Sequence, residues 1–122
     1  MYGDDMENMY SKKFETMMEI DQKIIDRQKA RLDLVDIIEN LDLELNLIKS
    51  DILVNINSEK LGDKPVYSNE KSREAELSRR LNEHVTYNEK KDQYINSIRS
   101  KNFIDIEIES LKRKWDILIK MS

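Results

Sequence analysis

His84 is the single histidine of the 122-residue chain, and cysteine is absent. A serine–imidazole–carboxylate relay would rest entirely on this residue. Disulfides, a thiolate nucleophile and Cys-ligated metals are excluded. A zinc site on a helix asks for further His or carboxylate ligands at helical spacing, and no second His exists. The Glu-x-x-His spacing of carboxylate di-iron bundles fails as well, because Leu81 stands three residues before His84. Paired carboxylates occur at Asp4/Asp5, Glu74/Glu76 and Glu107/Glu109, but a chain with 25 acids is expected to place such pairs on its solvated faces. A hydrolytic or metal-carboxylate site also needs a cleft. No Gly-rich phosphate loop is present. These residues predict no enzyme, no metal and no cofactor.

The basic residues point to a different chemistry. Residues 71–101 hold eight bases (Lys71, Arg73, Arg79, Arg80, Lys90, Lys91, Arg99 and Lys101) against five acids. Tyr67, Tyr87 and Tyr94 offer surfaces on which unpaired bases of a single strand would stack. The net charge of −4 opposes this, since phosphate binding depends on a dense positive footprint. Direct nucleic-acid binding is therefore an alternative rather than the main expectation. Lys112-Arg113-Lys114 suits the last turns of a helix, where cations meet the negative end of the macrodipole.

The elements that must carry these side chains are helices. Two Gly and one Pro are too few for the turns of a many-stranded sheet. Gly62-Asp63-Lys64-Pro65 is the one concentrated break, and Pro65 drives Lys64 out of the helical region. The pattern predicts one domain over residues 1–122, with a helix near 5–56, a loop near 57–68 and a second helix near 69–120. Each helix would be roughly 75–80 Å long, and rods of that length need continuous partners in water.

The first helix carries a heptad seam. Position a holds Tyr10, Met17, Ile24, Arg31, Ile38, Leu45 and Ile52, and position d holds Met6, Lys13, Ile20, Arg27, Leu34, Leu41 and Ile48. Eleven of these 14 are apolar, which marks a sustained coiled-coil seam. A second stripe, Phe14, Met18, Ile25, Leu32, Val35, Leu43 and Leu47, widens the apolar face beyond what one partner helix covers. Arg27 and Arg31 interrupt the seam at successive positions. Either their stems pack while the heads reach outward, or they meet acids of a partner helix and fix the register of an oligomer. The second helix changes phase: Leu77, Leu81, Val85, Tyr94, Ile95 and Ile98 give way to Ile104, Ile108, Leu111, Trp115 and Leu118. Asn88, Asn96, Ser97, Ser100 and Asn102 lower helix propensity between them.

Charge divides between the helices. Residues 1–56 hold 13 acids and 7 bases, and residues 57–122 hold 12 acids and 14 bases, which favours antiparallel pairing of the two. The expected fold is all-α, a long antiparallel helical hairpin that dimerises into a four-helix bundle, with a tetramer as runner-up. The acidic start lacks the order of a signal peptide, and no apolar run reaches the length that spans a bilayer. A cytoplasmic protein with no membrane contact is the expectation.

The stretch Tyr67-Ser68-Asn69-Glu70, with Arg73-Glu74-Ala75 after it, follows the loop directly and begins a capped helix. Together with Glu109-Ser110-Leu111-Lys112-Arg113-Lys114-Trp115, it resembles small, all-helical, coiled-coil early proteins of tailed bacteriophages. The resemblance covers roughly residues 60–118, with Trp115 where those proteins carry Phe. It implies a non-enzymatic accessory role in DNA recombination or replication, with an unidentified protein as partner. At the loop, Tyr67, Arg73, Arg79 and Arg80 are the candidate contact surface for that partner or for a nucleic-acid backbone. The competing expectation is that Tyr67 folds back over the tip while Asn69 caps the helix. A further alternative is an acidic inhibitor of a host nuclease or defence protein, with carboxylates of the first helix on display.

Overall fold

The computed structural model describes the backbone of residues 2–121 and the side chains of residues 7–121. Met6 of the seam and the Asp4/Asp5 pair lie outside the described side chains. The fold is all-α, an antiparallel helical hairpin. Helix α1 spans Tyr2–Ser58, strands β1 and β2 span Lys60–Leu61 and Lys64–Pro65, and helices α2 and α3 span Glu70–Glu83 and Val85–Lys120. The chain folds as two compact units. The first joins the α1 residues up to Val35 with the α3 residues from Arg99 onward, and the second comprises Asp36–Ile98.

In the first unit the predicted seam is the packed face. Ile20 of α1 and Ile104 and Ile108 of α3 are buried. Met17, Ile24 and Leu34 are half-buried, as are Leu111, Trp115 and Leu118. Arg27 pairs with Glu107 at 3.3 Å and Arg31 with Asp105 at 2.6 Å, so α3 numbers fall as α1 numbers rise. On those levels the seam residue Tyr10 stands past Lys120, where α3 has ended. Its 64% exposure follows from that.

In the second unit Leu41, Leu45 and Ile56 are buried, and Ile56 is the most enclosed at 1% exposure. Lys90 pairs with Glu44 and Arg80 with Glu59, again antiparallel. The expected loop contains a two-residue antiparallel ladder, Lys60 opposite Pro65 and Leu61 opposite Lys64. Val66 N–H donates to the Glu59 carbonyl at 3.0 Å and extends it. Gly62 takes φ +68° at the turn, in the left-handed region that glycine enters without a Cβ penalty. Asn69 caps α2: its side chain accepts from Ser72 N–H at 2.7 Å, and Ser72 Oγ reaches back toward the Asn69 amide.

The second helix is not continuous. It breaks at His84, which has φ −82° and ψ 106° and lies outside both helices. His84 N–H donates to the Leu81 carbonyl at 3.2 Å and closes α2. Its Nδ1 accepts the Tyr87 N–H at 2.9 Å and opens α3, as an N-cap side chain does. Asn88 Nδ2 stitches the joint by donating to the carbonyls of Leu81, Asn82 and His84 at 2.9–3.1 Å. The Leu81 and His84 carbonyls also accept backbone N–H groups, from His84 and Asn88, so the amide adds a second bond to each across the joint. The break also removes Val85 from the packed face, leaving it 70% exposed. By contrast, α3 runs through Asn96, Ser97, Ser100 and Asn102 without interruption. Burial of Ile104 and Ile108 and the Lys101–Asp105 pair at 3.4 Å offset the weak propensity there.

Candidate interaction surfaces

Two kinds of surface emerge: a polar knot at the base of the tip and apolar stripes along the helices. The knot belongs to the second unit. Arg80, on the inner face of α2, donates through Nη2 to both Glu59 oxygens at 2.8 and 2.9 Å and through Nε to Glu76 Oε1 at 2.8 Å. Its guanidinium carbon also lies 5.9 Å from the centre of the Tyr67 ring, within cation–π range. Arg79 forks over the same Glu76 and reaches Glu83 at 3.1 Å. Arg73 Nη1 donates to the Tyr67 carbonyl at 3.4 Å.

The electrostatics follow from these bonds. Hydrogen bonds from Arg79 and then Arg80 hold the Glu76 carboxyl at about 2, well below the ordinary carboxylate range. Both guanidiniums are correspondingly raised, each chiefly by its bond to Glu76. Three of the four residues singled out from sequence, Tyr67, Arg79 and Arg80, thus sit in one network with Glu59, Glu76 and Glu83. Arg73 touches that network only through the Tyr67 carbonyl. The acids that neutralise the arginines were not legible as partners: Glu76 lies three and four residues from Arg79 and Arg80, but Glu59 reaches Arg80 only across the turn. Lys60, Lys64 and Lys71 remain exposed around the tip, with no ion pair among the described residues. Leu61, between Lys60 and the turn, is 80% exposed.

Arg27 and Arg31, the seam interruptions, find their acids on α3 of the same chain. Arg31 also draws the Asp105 carboxyl below its usual range through its hydrogen bond, with Lys101 assisting. Clefts of about 590 and 520 Å³ flank these pairs, one lined by Lys23, Lys114 and Ser110, the other by Gln28, Glu109 and Lys112. Both are shallow and carry charges of both signs. Among the described residues no group of three or more His, Asp or Glu is placed to hold a metal ion, and no helix is long and apolar enough to cross a membrane.

The apolar stripes are the larger surface. In the first unit Phe14, Met18, Ile25 and Leu32 remain exposed on α1, and Phe103, Ile106 and Ile117 on α3. In the second unit Leu43, Leu47 and Val54 do the same. The α1 set follows from the second stripe of the sequence. Sequence reasoning missed the α3 set, although the spacing 103, 106, 110, 113, 117 is a helical face interrupted by Ser110 and Arg113. Comparison of the chain with protein-family models, with curated proteins and with solved structures finds no match.

Proposed function

We propose that the chain is a non-enzymatic coiled-coil assembly protein that self-associates through the outer faces of its helices and presents its tip to a second protein. The observation that carries this is surface area. The chain exposes 9628 Å², whereas a compact monomer of 14.6 kDa would expose about 6,900 Å² by the usual scaling. Exposed apolar side chains contribute to the surplus, and apolar residues recurring along one helix face mark association surfaces. The resemblance to phage early proteins supports a place beside DNA recombination or replication, and it is the sole support for that part.

The nucleic-acid alternative is weaker because Arg79 and Arg80 already hold carboxylates, and a phosphate would have to displace them. What the tip offers a protein is Leu61 among Lys60, Lys64 and Lys71. Light scattering on the full chain at micromolar concentration tests the core of the proposal. The expected mass is at least twice 14.6 kDa. A stable monomer would contradict it.

A further inference from the structure

The first unit gives the second copy a place and a direction, and this inference rests on the self-association proposed above. The two outer stripes lie on opposite sides of the hairpin. Leu32 lines a cleft beside Lys112, whereas Phe103 and Ser110 line clefts beside Arg27 and Glu107. A contact across one two-fold axis therefore sets a stripe against the same stripe of the copy. The α3 stripe carries Ser110 at its middle, with Arg113 one turn on. The α1 stripe carries Ile25 there, between Met18 and Leu32, and all three are exposed. At 100° per residue this stripe lies about 130° around α1 from the packed seam, so a helix seated on it stays clear of α3.

Charge gives the direction. Asp21 and Lys29 stand one turn before and one turn after Ile25, each about 40° from the line of the stripe. Neither enters an ion pair within its own chain among the described residues. With two α1 helices parallel, Asp21 meets Asp21 of the copy and Lys29 meets Lys29, which costs association energy. With the helices antiparallel about Ile25, Met18 stands opposite Leu32 of the copy and Ile25 opposite Ile25. Asp21 then falls level with Lys29 of the copy, and the two-fold axis makes that pair twice. Moving the register by one heptad either way leaves these apolar residues opposed at only two levels and parts Asp21 from Lys29. Glu15 and Asp33 of the copy also come nearly level, but about 80° from the contact line, at a solvated edge where salt screens their repulsion.

We infer that the occupant of the α1 stripe is a second copy of this chain, its own α1 lying antiparallel, with the two-fold axis between the paired Ile25 side chains. Each partner of a standard interface buries about 800 Å², which falls within the surface surplus of roughly 2,700 Å² per chain.

Cysteine cross-linking tests the pairing, because the chain has no cysteine of its own. Ile25→Cys and Ser110→Cys chains are each oxidised alone, and a Met18→Cys chain is mixed with a Leu32→Cys chain, allowed to exchange subunits and oxidised. All four positions are exposed, so the hairpin keeps its seam. Ile25→Cys is expected to self-link at least fivefold more than Ser110→Cys. In the mixture the mixed disulfide is expected to exceed either self-linked species at least fivefold. Predominance of self-linked Met18→Cys and Leu32→Cys dimers would show parallel helices and overturn the inference while leaving self-association intact. Stronger self-linking of Ser110→Cys would put the axis on α3 and overturn it likewise, as would a protein that scatters as a dimer but does not cross-link at Ile25→Cys. A monomer by light scattering would overturn both the pairing and the self-association.

Discussion

Glu76 accepts hydrogen bonds from Arg79 and Arg80 together, and this one carboxylate gathers the tip's arginines into the fold. Because its folded pKa lies near 2, below the ordinary 4.5, its contribution is fully present above about pH 4.5 and is lost as pH falls through about 2. Glu76→Gln should lower the melting temperature at neutral pH, and the gap to the parent chain should close between pH 4.5 and 2. Circular-dichroism melts across that window check it, and a gap of constant size would refute the assignment. A second residue-scale prediction concerns Arg31. Arg31→Asp sets two carboxylates together in the seam and should lower the melting temperature, while Arg31→Asp with Asp105→Arg should recover part of the loss, the remainder being the Lys101–Asp105 pair that the swap breaks. The arginines themselves were legible as interruptions of a heptad, but their partners were not. Ion-pair partners depend on which helix lies opposite, and a single seam pattern does not specify the level at which two helices meet.

At the scale of elements, the long helices, the tip and the N-cap could be read from periodicity and from Gly-Asp-Lys-Pro. The joint at His84 could not. Nothing near it is a glycine or proline, and the break arises from one residue acting as C-cap of α2 and N-cap of α3 while Asn88 covers the carbonyls. Removing the imidazole acceptor with His84→Ala should cost about 1 kcal/mol, the typical value of an N-cap, and His84→Asn should restore most of it. Urea unfolding of the three chains measures this, and equal midpoints would show that the imidazole caps nothing. At the tip, a Cβ on Gly62 would meet no atom within 4 Å, so only backbone strain opposes substitution. Gly62→Ala should therefore cost about 1–2 kcal/mol through the left-handed conformation alone, and Gly62→Asn less. Equal stability of the Ala and Asn chains would place the origin elsewhere.

For the whole molecule, the central claim is that the helices carry two working faces, one consumed inside the hairpin and one turned to a second copy. The inner face was visible as the a and d positions, and Ile20, Leu41 and Leu45 are buried where that register puts them. The outer face of α1 was visible as Phe14, Met18, Ile25 and Leu32, but that of α3 was hidden by Ser110 and Arg113, which break its apolar run. Sedimentation equilibrium tests the claim most directly, applied at micromolar concentration to the parent chain and to Met18→Glu/Leu32→Glu. Two carboxylates on the outer stripe leave the seam untouched and add desolvation cost to any association there. The parent should sediment at twice 14.6 kDa and the variant at close to 14.6 kDa. A variant that keeps the parent's mass, or a parent that is already monomeric, would contradict the account.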